Sequence, residues 1–218
     1  MIDNIIACRR ALDEVSDSVE ILAVTKNHEA SVANLAYEAG IMRIGENRVQ
    51  ELMQKLPMLN PLYSIDLIGQ LQTNKVKYIL NAVSRVQSLD RMSLALEIDK
   101  RCKQAGIVMP CLVEVRMDKA EARAGVEPDE LADFIKEASR LRGISIEGLM
   151  AVMPIADDPE DVRPLFRRMR QIFERERDRA IDGVKIECLS MGMSHDYLVA
   201  AQEGATQVRL GSVIFGSR

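Results

Sequence analysis

Aromatic residues make up only 4% of this 218-residue chain, and tryptophan is absent altogether. That scarcity argues against a surface built on stacked nucleobases. Basic residues are interspersed with acids at a net charge of −4, so no basic stripe is present to follow a phosphate backbone. No stretch approaches the ~20 apolar residues that a membrane-spanning helix needs. The N-terminal MIDNIIACRRALDEV lacks the basic start and unbroken apolar run of a secretory signal, and its acids among apolar residues predict an amphipathic helix. The four cysteines, Cys8, Cys102, Cys111 and Cys188, form no CxxC pair and join no Cys/His cluster. Zinc is therefore not expected, and reduced thiols in a cytoplasmic protein are. No GxGxxG follows the first apolar run, which leaves a dinucleotide-binding sheet with little support.

What is present is a regular alternation. Short β-branched runs are EILAVTK (20–26), MRIGEN (42–47), SIDLIG (64–69), VSRVQSLD (83–90), PCLVEVRM (110–117), SIEGLMAVM (145–153), KIECLSMG (185–192) and QVRLGSVIFG (207–216). Helical patterns separate them, such as EASVANLAYEAG (29–40), where Gly40 suits a helix C-cap. Alternation of this kind implies parallel strands with helical crossovers, and eight repeats favour a closed barrel, which has no edges to protect. The expected fold is α/β, a single (β/α)8 TIM barrel domain over residues 1–218 with an additional N-terminal helix. Such barrels run from about 200 residues upward, so the length suffices.

Active sites of such barrels lie at the C-terminal ends of the strands. Polar residues gather there: Lys26, Glu46, Asn47, Gln70, Ser88, Asp90, Arg116, Asp118, Ser190, Ser194, Arg209, Gly211 and Ser212, with Met150 and Met153 among them. Lys26 is the unusual one, because lysine is almost never fully buried without a partner or a role. Taken alone it reads equally well as a surface lysine. Ser194, Ser212 and Asp90 read as helix N-caps, and Glu46 as a structural acceptor. His28 and His195 read as exposed or capping, Tyr197 as packing, and RRMRQIFERERDR as a solvated outer helix charged almost all round. No residue is expected to be catalytic and none to bind metal.

The stretches AVTK, IGENRVQEL, LIGQLQTNKVK, VQSLDR, EGLMAV and above all LSMGMSHDYLVAAQEGATQVRLGSVIFG resemble the YggS/PROSC family of pyridoxal 5′-phosphate (PLP) homeostasis proteins, relatives of the N-terminal barrel of alanine racemase. The resemblance runs from Ile21 to Arg218. It implies that Lys26 forms the Schiff base with PLP, that Arg209 faces the pyridine nitrogen, and that Ser194, Gly211 and Ser212 hold the phosphate. Asn47 would line the pocket, with Met193 and Met150 as apolar walls. Lys26 should then be desolvated in the barrel mouth or lie near a cation, so that its amine can lose a proton. An arginine can only donate to the ring nitrogen, which weakens the electron sink that PLP enzymes use. Alanine racemase also takes a second base, a tyrosine, from another domain, and the end of this chain at Gly216-Ser217-Arg218 leads us to expect none here. The implied function is a cytoplasmic, monomeric carrier that buffers PLP or delivers it to PLP-dependent apo-enzymes, without committed catalysis and without nucleic-acid or membrane partners. A weak amino-acid racemase is the alternative, and a cofactor-free aldolase acting through Lys26 a third. The chain departs from the usual family pattern at Thr25 (commonly Ser), Arg48 (commonly aromatic), Gln70 (commonly His) and Arg116 (commonly Asn).

Overall fold

The eight apolar runs form eight strands: Glu20–Val24 (β1), Arg43–Glu46 (β2), Ser64–Leu67 (β3), Arg85–Leu89 (β4), Met109–Glu114 (β5), Ile144–Met150 (β6), Cys188–Met193 (β7) and Gln207–Leu210 (β8). The helices are Ile2–Asp13 (α1), Ala30–Glu38 (α2), Val49–Lys55 (α3), Val76–Ile79 (α4), Met92–Ala105 (α5), Leu131–Ala138 (α6), Arg163–Asp178 (α7), Tyr197–Gln202 (α8) and Ser212–Phe215 (α9). The strands pair in parallel in chain order, and β8 closes on β1. This computed structural model describes residues 1–118 and 124–216. The architecture is the expected (β/α)8 barrel with an additional N-terminal helix.

Alternation along each strand divides its side chains between two environments. One set, including Ile65, Leu67, Val86, Leu189, Met191, Val208 and Leu210, packs in the apolar layer under the helices. The other set points into the barrel and is strongly polar. Asp66, fully buried, accepts from Arg43 Nη1 at 2.6 Å, from Arg85 Nε and Nη2 at 2.9 and 2.7 Å, and from Gln87 Nε2 at 2.6 Å. Gln87 also donates to Gln207 Oε1 and accepts from Ser190 Oγ, both at 2.7 Å. Gln207 donates to Glu20 Oε2 at 2.6 Å. A hydrogen-bonded mesh therefore fills the lower barrel, where buried charge is tolerated only because it is paired.

Three segments differ from the sequence pattern. QVRLGSVIFG is not one strand, because β8 stops at Leu210 and α9 begins after Gly211. NKVKYIL supplies a single α-turn, preceded by a 3-10 turn at Thr73–Lys75. The charged helix α7 buries Phe166, Met169, Ile172, Phe173 and also Glu176, and its arginines and other glutamates occupy the remaining faces.

Candidate functional site

Lys26 lies two residues beyond β1, Asn47 directly after β2, Met193 at the end of β7 with Ser194 next, and Arg209 in β8 with Gly211 and Ser212 following. Because β7, β8, β1 and β2 are neighbours in the closed sheet, all seven residues fall on one arc of the barrel mouth. Met150, level with Ser190 across the β6–β7 pairing, is buried beside them.

Lys26 itself is exposed, so the described residues do not supply the burial expected of it. The reason is local. Thr25 N–H still donates to Gly45 O at 3.1 Å as a continuation of the sheet, but the chain then turns, with Asn27 at a left-handed φ of 60°. A buried cluster grips this turn from below. Lys55, 5% exposed at the end of α3, donates to Thr25 O at 2.8 Å, Glu46 Oε1 at 2.7 Å and Glu51 Oε1 at 3.1 Å. Thr25 Oγ1 donates to Glu46 Oε1, and the Asn27 N–H donates to Glu51 Oε1. Burial raises the Glu46 carboxyl, while its bonds to Lys55 and Thr25 pull it back down.

Arg209 is 4% exposed at the floor of the mouth. Its Nη1 donates to Ser190 O and Oγ at 2.7 and 2.9 Å, and its Nη2 to Ala151 O at 2.8 Å. The mesh of the lower barrel thus ends on this guanidinium, and its Nε–H has no partner among the described residues. Burial lowers Arg209 to about 10, with Glu114 and Asp196 opposing the shift, so it stays protonated at neutral pH. Glu114, at the end of β5, is pushed up to about 7 by burial, further raised by Asp90 and opposed by Arg209.

Across the arc, Ser194 Oγ accepts from Gly211 N–H at 3.0 Å and Val213 N–H at 3.3 Å, joining the end of β7 to the start of α9. Gly211 has a φ of −118°, outside the left-handed region, and a Cβ there would meet Val24 at 3.5 Å, an ordinary contact. Packing does not require glycine at this position. Asn47 Oδ1 is buried without a hydrogen-bond partner among the described residues. A glycine that packing does not demand, an unpartnered buried amide oxygen and a guanidinium with a spare N–H together fit a phosphorylated heteroaromatic group.

Other expectations meet mixed outcomes. Asp90 does not cap α5: Arg91 holds the N-cap position without a side-chain bond, and Asp90 pairs with Arg91 Nη1. Ser212 is the first residue of α9 rather than its cap, and the capping role falls to Ser194, just beyond β7. His195 is exposed, with Nε2 3.1 Å from Asp157 O, and the His28 ring packs on Phe215 at 4.7 Å. Tyr197 at the start of α8 contacts Cys8 of α1. Sequence reasoning missed Lys55, Glu114, Gln87 and Asp66. The (i, i+4) pairing of Glu51 with Lys55 was the one visible signal, but it reads as an ordinary helix-surface pair. Among the described residues no group of His, Cys, Asp and Glu is arranged to hold a metal, and no helix is long and apolar enough to cross a membrane.

The profile of the alanine racemase N-terminal domain matches residues 2–218, which sets the class of this barrel. The pyridoxal phosphate homeostasis protein of Aquifex aeolicus is 41% identical over 213 residues, covering 97% of this chain and 92% of its own. That of Pasteurella multocida is 32% identical over 204 residues, covering 92% and 87%. The chain belongs to the pyridoxal phosphate homeostasis protein family, within the alanine racemase N-terminal domain group. PipY of Synechococcus elongatus, solved with PLP bound, superposes with a TM-score of 0.88 at 30% identity, covering 99% of each chain. Alanine racemase of Clostridium difficile shares the fold, with a TM-score of 0.80 at 18% identity over 57% of its length.

Proposed function

We propose that this chain binds PLP in the barrel mouth, holds it covalently through Lys26 Nζ, and buffers or delivers it without committing it to a reaction. The observation that carries this reading is the single arc that groups an accessible amine, a guanidinium N–H without a partner among the described residues and a glycine that packing does not demand. When bound, PLP supplies an aldehyde that joins reversibly to amines and a ring that withdraws electrons when its nitrogen is protonated. Lys26 would hold the aldehyde carbon, and Ser194, Gly211 and Ser212 the phosphate. Asn47 would donate or accept at the pocket wall, beside Met193. Arg209 would donate its Nε–H toward the ring nitrogen. Having no acceptor and no proton to give at neutral pH, it would keep that nitrogen unprotonated and the site quiet. This favours a carrier over a weak racemase.

We further propose one PLP-binding domain across residues 1–218, acting as a cytoplasmic monomer with PLP-dependent apo-enzymes as recipients and with neither nucleic acid nor membrane as partner. Borohydride reduction followed by peptide mass spectrometry tests the attachment. A pyridoxyl phosphate mass on the Lys26 peptide is the expected result, and a label confined to Lys75 or Lys77 would refute it.

A further inference from the structure

We infer that Lys55 is a positioning residue for Lys26: its ammonium, with Glu46 and Glu51, sets the direction in which the Lys26 side chain leaves the backbone. The inference rests on the covalent role proposed for Lys26.

The geometry works through the two peptide planes that flank the Lys26 Cα. The plane before it carries Thr25 O, which accepts from Lys55 Nζ at 2.8 Å and from His28 N–H at 3.1 Å. The plane after it carries the Asn27 N–H, which donates to Glu51 Oε1. The same Glu51 Oε1 accepts from Lys55. Both planes are thus tied to one buried ammonium, and orienting them fixes φ and ψ of Lys26 and hence its Cα–Cβ direction. Glu46 anchors Lys55 to β2 and, through Thr25 Oγ1, to the end of β1. An ammonium has three N–H donors, and Lys55 uses them on Thr25, Glu46 and Glu51. Lys55 is therefore neither free to attack an aldehyde nor free to swing away. The exposed lysine stands on a turn whose restraints converge on one buried ammonium, which suits an amine that must meet its target from solvent in one orientation.

Covalent capture replaces the aldehyde C=O of PLP by a C=N bond to Lys26 Nζ, with release of one water. Freeing one residue's backbone opens conformers worth a factor of roughly 5–30, so loss of the clamp should slow capture by about 10-fold. Lys55→Met alone strands Glu46 as a buried charge and risks unfolding the turn. The informative variants are Glu51→Ala, whose side chain is 21% exposed, and the double variant Glu46→Gln/Lys55→Met, which removes both buried charges together. Stopped-flow absorbance would follow capture of PLP by the apoprotein, normalised to folded protein by circular dichroism. Slower capture in both variants, with partial rescue by Lys55→Arg, is the expected result. Folded variants that capture PLP at the wild-type rate, even with lowered thermal stability, would reduce Lys55 to a structural ion and overturn the inference. A wild type whose label is not on Lys26 would overturn the reading beneath it instead.

Discussion

Gly211→Ala separates the barrel's own needs from those of a phosphate. The added methyl would sit 3.5 Å from Val24 Cβ and 3.6 Å from Val24 O, and the φ of −118° requires no left-handed conformation. Loss of glycine's freedom in the unfolded chain contributes about 0.4–1 kcal/mol in favour of the variant where its conformation is compatible. Thermal unfolding should therefore match the wild type or rise by a few degrees. Binding should respond differently, because the methyl stands beside the amides that Ser194 gathers at the start of α9. A hydrogen bond to a charged oxygen contributes about 1.5–3 kcal/mol, so its loss weakens binding by roughly 10–100-fold. Titrating the apoprotein with PLP and, in parallel, with pyridoxal, which lacks the phosphate, isolates that contribution. Gly211→Ala should lose most of the preference for PLP while binding pyridoxal as the wild type does. A variant with unchanged stability and undiminished preference for PLP would refute the phosphate assignment.

Two further predictions concern the charges of the barrel interior. Glu114 titrates at about 7 in the folded state, against about 4.3 in an unfolded chain. Between those values the folded state binds the extra proton, so stability falls as pH rises through the window and the loss is complete above it. Glu114→Gln should remove this slope, gaining about 3 kcal/mol relative to the wild type between pH 4 and pH 8; parallel stability profiles for the two proteins would contradict the assignment. Asp66→Asn leaves Arg43 and Arg85 without their shared buried carboxylate and should cost about 3–5 kcal/mol in urea unfolding, whereas a loss below 1 kcal/mol would mean that water or relaxation replaces the pairing.

The barrel was legible because its apolar runs and helical patterns alternate eight times, from EILAVTK to QVRLGSVIFG. Strand ends were not, since a run such as QVRLGSVIFG stays apolar where the backbone leaves the sheet, and only the turn at Gly211 ends β8. The arc was legible through its motifs, which place Lys26, Arg209 and Gly211 at neighbouring strand ends. Its supports were not. Lys55 lies 29 positions after Lys26, and Glu114 acts on Arg209 from across the barrel, so no local pattern joins them. The same holds for Asp66, Arg85, Gln87 and Gln207. Each is a polar residue within an apolar strand, and nothing along the chain says that the inward face collects them all. The exposure of Lys26 also ran against expectation, because the position of a lysine at a strand end says nothing about whether the turn beyond it folds inward.

The polar filling of the lower barrel also bears on how the strands find their alignment. Apolar side chains tolerate many neighbours, so an oily barrel could shift one strand by two residues and still keep its inward face inward. Asp66 meets Arg85 and Gln87, and Gln87 meets Ser190 and Gln207, only in the observed register. A slipped β4 would carry Arg85 and Gln87 away from the Asp66 carboxylate and leave the charges buried and unmatched. The mesh thus acts as a key cut for one alignment, and it makes mis-registered closures unstable before Arg209 ever reaches the mouth.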